Sequence, residues 1–285
     1  MSPEYWYMLP VSILIATIAM ASGVEGATFF APFFMLALRL SPEVAIGTGL
    51  ITEVFGFASG LFAYARQRLI DFSLGISLLM VTIPAAISGT WLSSRLAPDF
   101  LKIILGVGLV AVGLSFLRAL RQRQVVMIDE EIHTSITQSD HLTRLVAANG
   151  EEIQYKVCNK TEGRAISGIG ALFMGLVSTG LGEMNGYFLL QRCRVPSKVA
   201  VATSVFVVAT TALIAASGHL MHFVQIGGPA LTTVLSLAVF TVPGVIIGGQ
   251  IGSLVAARIP QRVLEISLGM LFVLVAGLTL GQVML

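Results

Sequence analysis

The sequence predicts an all-α, polytopic membrane protein built from two inverted repeats. Each repeat is a broken, re-entrant hairpin followed by three transmembrane helices, and a small cytoplasmic hairpin loop joins the halves. Three observations carry this prediction. Of 285 residues, 55% are hydrophobic and 11% charged, with a mean hydropathy of +0.89, whereas soluble domains carry about 25% charged residues. The apolar residues gather in eight blocks, at 8–38, 44–64, 73–94, 100–117, 166–190, 199–221, 229–256 and 263–284, and roughly 20 apolar residues cross a bilayer. Markers in the first four blocks also return, in the same order, in the last four.

The first block follows the interface anchors Tyr5, Trp6 and Tyr7 and is interrupted at Gly23-Val24-Glu25-Gly26. Its start lacks the basic n-region of a signal peptide, so it is expected to remain as a membrane segment. The second block follows Pro42 and opens with Val44-Ala45-Ile46-Gly47-Thr48. The third carries Thr82-Ile83-Pro84 and Gly89, with a kink expected at the proline, and the fourth carries Leu105-Gly106. Residues 118–165 hold seven of the 17 Lys and Arg together with seven carboxylates, and belong in water. Their second half reads as two short strands around Asn149-Gly150, a stiffened linker or a docking element. In the second half Gly180-Leu181-Gly182-Glu183 interrupts the fifth block. Pro196 precedes Val199-Ala200-Val201-Ala202-Thr203, Thr241-Val242-Pro243 is followed by Gly248, and Leu268-Gly269 closes the series. The chain thus divides into a first membrane repeat (1–117), a polar loop (118–165) and a second membrane repeat (166–285). The plainer account of the shared markers is that Gly, Ala and Thr recur wherever membrane helices pack closely.

Charge sets the orientation. If every block crossed once, Lys and Arg would divide 9 to 8 between the two sides. If the first block of each half turns back at its glycines, the division becomes 14 to 3, as the positive-inside rule requires. The central loop is then cytoplasmic, both termini lie outside, and an odd number of crossings per half forces the repeats into opposite orientations.

Three carboxylates lie inside apolar blocks: Glu25, Glu53 and Glu183. A charge at mid-bilayer costs about 2.5–3.5 kcal/mol even on the lenient insertion scale, so each calls for a partner, a proton or water. Glu25 and Glu183 stand at the glycine breaks, where freed backbone groups are tolerated only inside protein or beside a water-filled cavity. The half-helix after each break would offer unpaired N–H groups and a positive dipole end to an anion. With no Lys or Arg deep in any block, an anion would be held by those ends, at Gly26 and Gly182, and by Thr28, Thr48, Asn185, Thr203 and Ser204. The carboxyls fit beside it when protonated, a state that low dielectric favours, which links anion movement to protons. The competing reading is that Glu25 and Glu183 only cap the half-helices, and that Glu53 bonds a neighbouring helix. His219 and His222, at i and i+3, are placed to share a ligand or proton, or simply sit at an interface. Cys158 and Cys193 lack metal-ligand spacing, so no disulfide or zinc site is expected; the basic neighbours Arg192 and Arg194 would make Cys193 a reactive thiol. Pro84 and Pro243 occupy matching places in the two halves.

With these residues laid out, the chain resembles the sulfite exporter TauE/SafE family, the four-toluene sulfonate uptake permeases. The resemblance covers about residues 10–118 and 165–284 and rests on the glycine-rich break of each half and the Val-Ala-x-x-Thr segments, Val44 to Thr48 and Val199 to Thr203. Gly180, Gly182 and Glu183 match the second break, whereas Val24-Glu25-Gly26-Ala27 departs from the run of glycines common in relatives. The resemblance implies an inner-membrane permease or exporter of sulfite, sulfonate or another small organosulfur anion. A secondary carrier is therefore expected, working by alternating access and coupled to protons. It needs no cofactor or metal, and no P-loop motif occurs to support an ATP-driven pump. A net charge of +2, scattered along the loops, sets nucleic acid aside as a partner. The expected partners are a small anion, protons and the lipid bilayer, with the oligomeric state left open, a homodimer included. An intramembrane enzyme using the buried glutamates and an anion channel are the alternatives.

Overall fold

The structure, a computed structural model, describes residues 5–22, 25–117, 143–256 and 261–284. Gly23 and Val24 of the first break, the stretch 118–142 and Arg258 lie outside the described residues. The first apolar block forms two helices, α1 (Met8–Ser22) and α2 (Ala27–Leu36). At 1.5 Å per residue they reach about 22 and 15 Å, short of the roughly 30 Å hydrocarbon core. Three long helices follow: α3 (Pro42–Gln67), α4 (Phe72–Ser93) and α5 (Pro98–Leu117). The polar region contributes β1 (Thr143–Val146) and β2 (Glu152–Tyr155), paired antiparallel with Thr143 opposite Tyr155. The second half repeats the order. A helix α6 (Lys160–Val177) precedes the short α7 (Leu181–Gly186), which runs on as a π-helical turn over Tyr187–Arg192. Then come α8 (Ser197–Ile226), α9 (Gly228–Ala256) and α10 (Gln261–Met284). Among the described residues, α3, α4, α8 and α9 are long and apolar enough to cross a membrane.

The most extensive helix packing runs across the halves. Helix α1 lies along α9 and α6 along α4, while α3 meets α8 and α5 meets α10. Glycines make these approaches close. A Cβ on Gly89 of α4 would run into the carbonyl oxygen of Leu172 on α6, and a Cβ on Gly248 of α9 into that of Ile13 on α1. Likewise a Cβ on Gly106 would meet Leu280, and one on Gly269 would meet Leu117. Buried threonines bond at the crossings, Thr52 to Thr241 at 2.8 Å between α3 and α9 and Thr82 to Thr211 at 3.0 Å between α4 and α8. Both α4 and α9 continue as helix through Pro84 and Pro243. Many large apolar side chains face outward, Phe62, Met80, Trp91 and Val224 among them, and Arg95 stacks over Trp91 at 4.1 Å near one end of α4. An outer surface of this kind is suited to lipid, and the chain is a multi-pass membrane protein.

The β-hairpin is docked against the bundle. Tyr155 is fully buried and donates its hydroxyl to Asp71 Oδ2 at 2.7 Å. Asp71 also caps α4 by accepting from the Leu74 N–H at 2.9 Å, and its own N–H donates to Thr203 Oγ1 at 3.0 Å. Burial, and then the adjacent Asp71 carboxylate, raise the Tyr155 hydroxyl above the usual tyrosine range. Ala148 N–H donates to Gln67 O, and Lys198 pairs with Glu151 at 3.0 Å. One small element therefore touches the α3–α4 turn of the first half and the start of α8 in the second.

The expectation of unpaired cysteines is corrected. Cys158 and Cys193 form a disulfide, with Cα atoms 5.1 Å apart across 35 residues of sequence. The hairpin returns the chain to the foot of α7, where the two residues meet; no spacing motif announces such a contact.

Candidate functional site

Both breaks open onto one cavity, and each is built differently. In the second, Ser178 closes α6 in the left-handed region at φ 60°, and its N–H donates to Met174 O. Gly180, at φ 113°, then starts α7 in a conformation that side chains rarely adopt. In the first, Gly26 precedes α2 with ordinary helical angles.

Glu25 is buried, and its Oε1 accepts a hydrogen bond from the Gly182 N–H. A carboxyl of the first break thus caps the first turn of the half-helix belonging to the second. Glu53, carried inward by α3, lies over the start of α2; a Cβ on Gly26 would stand 3.8 Å from its Oε1. Glu183 sits in the first turn of α7. Glu53 faces the backbone N–H groups of Gly26 and Ala27 at the start of α2, and Glu183 faces those of Gly180 and its own turn, but neither meets them in full hydrogen-bond geometry. The three groups are close enough to repel one another as carboxylates. Among the described residues no cluster of three His, Cys, Asp or Glu could hold a metal ion.

The cavity around them measures about 450 Å³. Glu25, Gly26, Glu53, Gly182, Glu183 and Ser204 line it, and among the described lining residues there is no Lys, Arg or His. Its walls are mostly apolar, with Ala16, Phe30, Phe57, Val205 and Val245 among them. It extends toward Tyr64 near the end of α3, Leu190 in the π-helical turn and Val201 near the start of α8, and is therefore directed to the end of the bundle that bears the hairpin.

Four residues expected at the site lie outside this lining, and each has a hydrogen-bond partner elsewhere. Thr28 shares a 2.9 Å hydrogen bond with Thr179, tying one break to the other. Thr48 donates to Val44 O of its own helix at 2.6 Å. Asn185 Oδ1 accepts from Ser167 at 2.7 Å. Thr203 holds the Asp71 N–H. The histidines do not converge: buried His219 contacts Gly175 O through Nε2 at 3.1 Å, while His222 pairs with Glu43 at 2.6 Å. The lining residues that sequence reasoning missed include Gly56, Gly60 and Tyr64, which continue the face of α3 that bears Glu53. From Glu53 they follow in steps of three, four and four residues, a readable signal, because it places Gly56, Gly60 and then Tyr64 on successive turns of the face that bears a buried carboxyl.

Three comparisons with known proteins bear on this geometry. The family described as "Sulfite exporter TauE/SafE" matches residues 8–279. A relative described as "Probable membrane transporter protein YunE", from Bacillus subtilis (strain 168), is 22% identical over 275 residues, covering 94% of each chain. No solved structure matches.

Proposed function

The chain belongs to the sulfite exporter TauE/SafE family, a family of membrane permeases, and from that premise we propose that it carries a small anion together with protons by alternating access around the two breaks. The anion class we favour is sulfite, a sulfonate or another organosulfur anion. The observation that carries the reading is the meeting of Glu25, Glu53 and Glu183 in one cavity that lacks a fixed cation among its described lining residues.

The chemistry follows from the donors available. A protonated carboxyl offers an O–H to an anion's oxygen, whereas a carboxylate repels it. Glu25 occupies the Gly182 N–H, so an arriving anion competes with that side chain for the same donor. Protonation weakens the Glu25 hold on the N–H and removes the repulsion, so anion and proton load together. When the cavity faces the other side, loss of the protons expels the anion.

Two inverted repeats would supply the motion. The reciprocal contacts support them: Gly89 against Leu172 answers Gly248 against Ile13, and Gly106 against Leu280 answers Gly269 against Leu117. The 14-to-3 division of basic residues supports an orientation in a plasma or inner membrane with the hairpin in the cytoplasm and both termini outside.

The test is flux in proteoliposomes under an imposed pH gradient. Sulfite uptake by the unaltered chain should follow the gradient, and Glu25→Gln and Glu183→Gln, correctly inserted, should lose that dependence. Proton dependence unchanged in both variants refutes the coupling. Impermeant labelling of a cysteine introduced at Arg144 tests the orientation: reaction in intact cells, before permeabilisation, would reverse it.

A further inference from the structure

We propose that the Cys158–Cys193 disulfide is a reversible covalent site for a sulfur nucleophile, a thiolate or sulfite, and that opening it releases the wall of the cavity mouth. The bond joins the two feet of the second helical hairpin. Cys158 immediately precedes Asn159, whose side chain caps α6, and Cys193 ends the π-helical turn that continues α7. Tyr187 and Leu190 of that turn line the cavity. The backbone N–H of Cys193 donates to Phe188 O and that of Val195 to Leu189 O, so a shift of Cys193 is passed to the lining. π-Helical turns are rare and concentrate at functional sites. The first helical hairpin has no counterpart, because the chain contains only these two cysteines.

The two sulfurs differ in access and in surroundings. Cys158 is half-buried and Cys193 is buried, at 8% exposure, so the incoming nucleophile meets Cys158. Its sulfur lone pair forms a bond to Cys158 Sγ, the Cys158–Cys193 bond breaks, and the electron pair leaves on Cys193 Sγ as a thiolate. Cys193 lies in sequence between Arg192, which pairs with Glu162 at 2.8 Å, and Arg194, and loss of the cross-link leaves it as the resolving thiolate. A thiolate leaves a mixed disulfide on Cys158, and sulfite leaves an S-sulfocysteine; neither step needs an added oxidant. Return attack by the Cys193 thiolate on Cys158 Sγ expels the nucleophile and restores the bond. In the proposed orientation the site faces the cytoplasm, where lasting structural disulfides are rare and exchanging ones are the rule. The sulfite arm rests on the proposed substrate class; the thiol arm does not.

The experiment uses the full chain in nanodiscs, treated with sulfite alone or with reduced glutathione alone. Intact mass and peptide mapping should find one adduct, on Cys158, with Cys193 newly alkylatable. Amide hydrogen exchange across residues 187–195 should then rise about tenfold, the mark of local release. Cys158→Ser and Cys193→Ser should give no adduct and should show the faster exchange without treatment. An adduct with sulfite makes the site responsive to the transported class, and an adduct with glutathione alone makes it a thiol-exchange site. No adduct with either reagent, or an adduct that leaves exchange at 187–195 unchanged, overturns the proposal. Sulfite flux in proteoliposomes separates the two readings: adduct and faster exchange without flux would remove the transport reading alone, and flux without adduct would remove the covalent site alone.

Discussion

The first break, between α1 and α2, and the second, between α6 and α7, share a cavity but are held by different means. The first places its carboxyl, Glu25, ahead of its own half-helix and lends it to the Gly182 N–H of the other. The second places Glu183 inside the first turn of α7, where it faces backbone N–H groups of its own break, at Gly180 and Glu183. Around the second break lie further restraints: left-handed Ser178 and Gly180, a π-helical turn, a disulfide and a docked β-hairpin. Beyond the first break, α2 is ten residues of regular helix, with Glu53 of α3 lying over its start. The helix packing is reciprocal between halves while the surroundings of the two breaks are not, which teaches that matched scaffolding does not require matched sites.

Where the halves match, paired substitutions should match as well. Gly89→Ala and Gly248→Ala each push a methyl group into a backbone carbonyl that cannot rotate away. Each should destabilise the chain by about 3 kcal/mol, the upper range for overpacking, read as lost detergent-solubilised monodisperse protein and a lower Tm. A large loss at one site alone would break the equivalence. The β-hairpin stands on the second break's side of the comparison, and among the described residues no equivalent lies beside the first. Tyr155→Phe removes a buried hydrogen bond to a carboxylate and should cost about 2 kcal/mol, read as a lower Tm; an unchanged Tm would mean that the hairpin adds nothing to the bundle.

The breaks themselves should respond unequally. A Cβ on Gly182 would stand 2.6 Å from Glu25 Oε1, whereas one on Gly26 meets nothing closer than 3.8 Å. Gly182→Ala should therefore displace the Glu25 carboxyl and slow flux about tenfold, equivalent to about 1.4 kcal/mol, while Gly26→Ala stays within about twofold. Equal effects in a flux assay would erase the asymmetry between the breaks. The smallest effect is expected at the threonine crossings. Thr52→Val and Thr82→Val each break one buried hydroxyl pair and should lower stability by about 1 kcal/mol, alike at both crossings.

Much of the scaffold was readable because packing in a membrane depends on small residues, which the sequence displays. Gly89 and Gly248, marked by their shared distance from Pro84 and Pro243, proved to make equivalent approaches to the opposite half. The breaks were readable too, since a glutamate flanked by glycines has no place in an uninterrupted helix facing lipid. Thr28, Thr48, Asn185 and Thr203 were harder: a polar side chain declares that it needs a partner but not which one, and each found its partner away from the lining. The disulfide was illegible for a related reason, because it depends on where a polar loop comes to rest. Tyr155 settles that question through a contact 84 residues distant in sequence, beyond the reach of any local pattern.

The same tyrosine makes the Asn149–Gly150 turn more than a loop tip. Both turn residues are exposed, Gly150 has φ 83°, and the strands behind them are anchored by a side chain with no exposed surface. Exposed tips of this kind accept insertions, and here the anchoring would carry an inserted domain rigidly with the helices. A compact binding epitope grafted between Asn149 and Gly150 would give a 30.2 kDa chain an external landmark for particle alignment in electron cryomicroscopy.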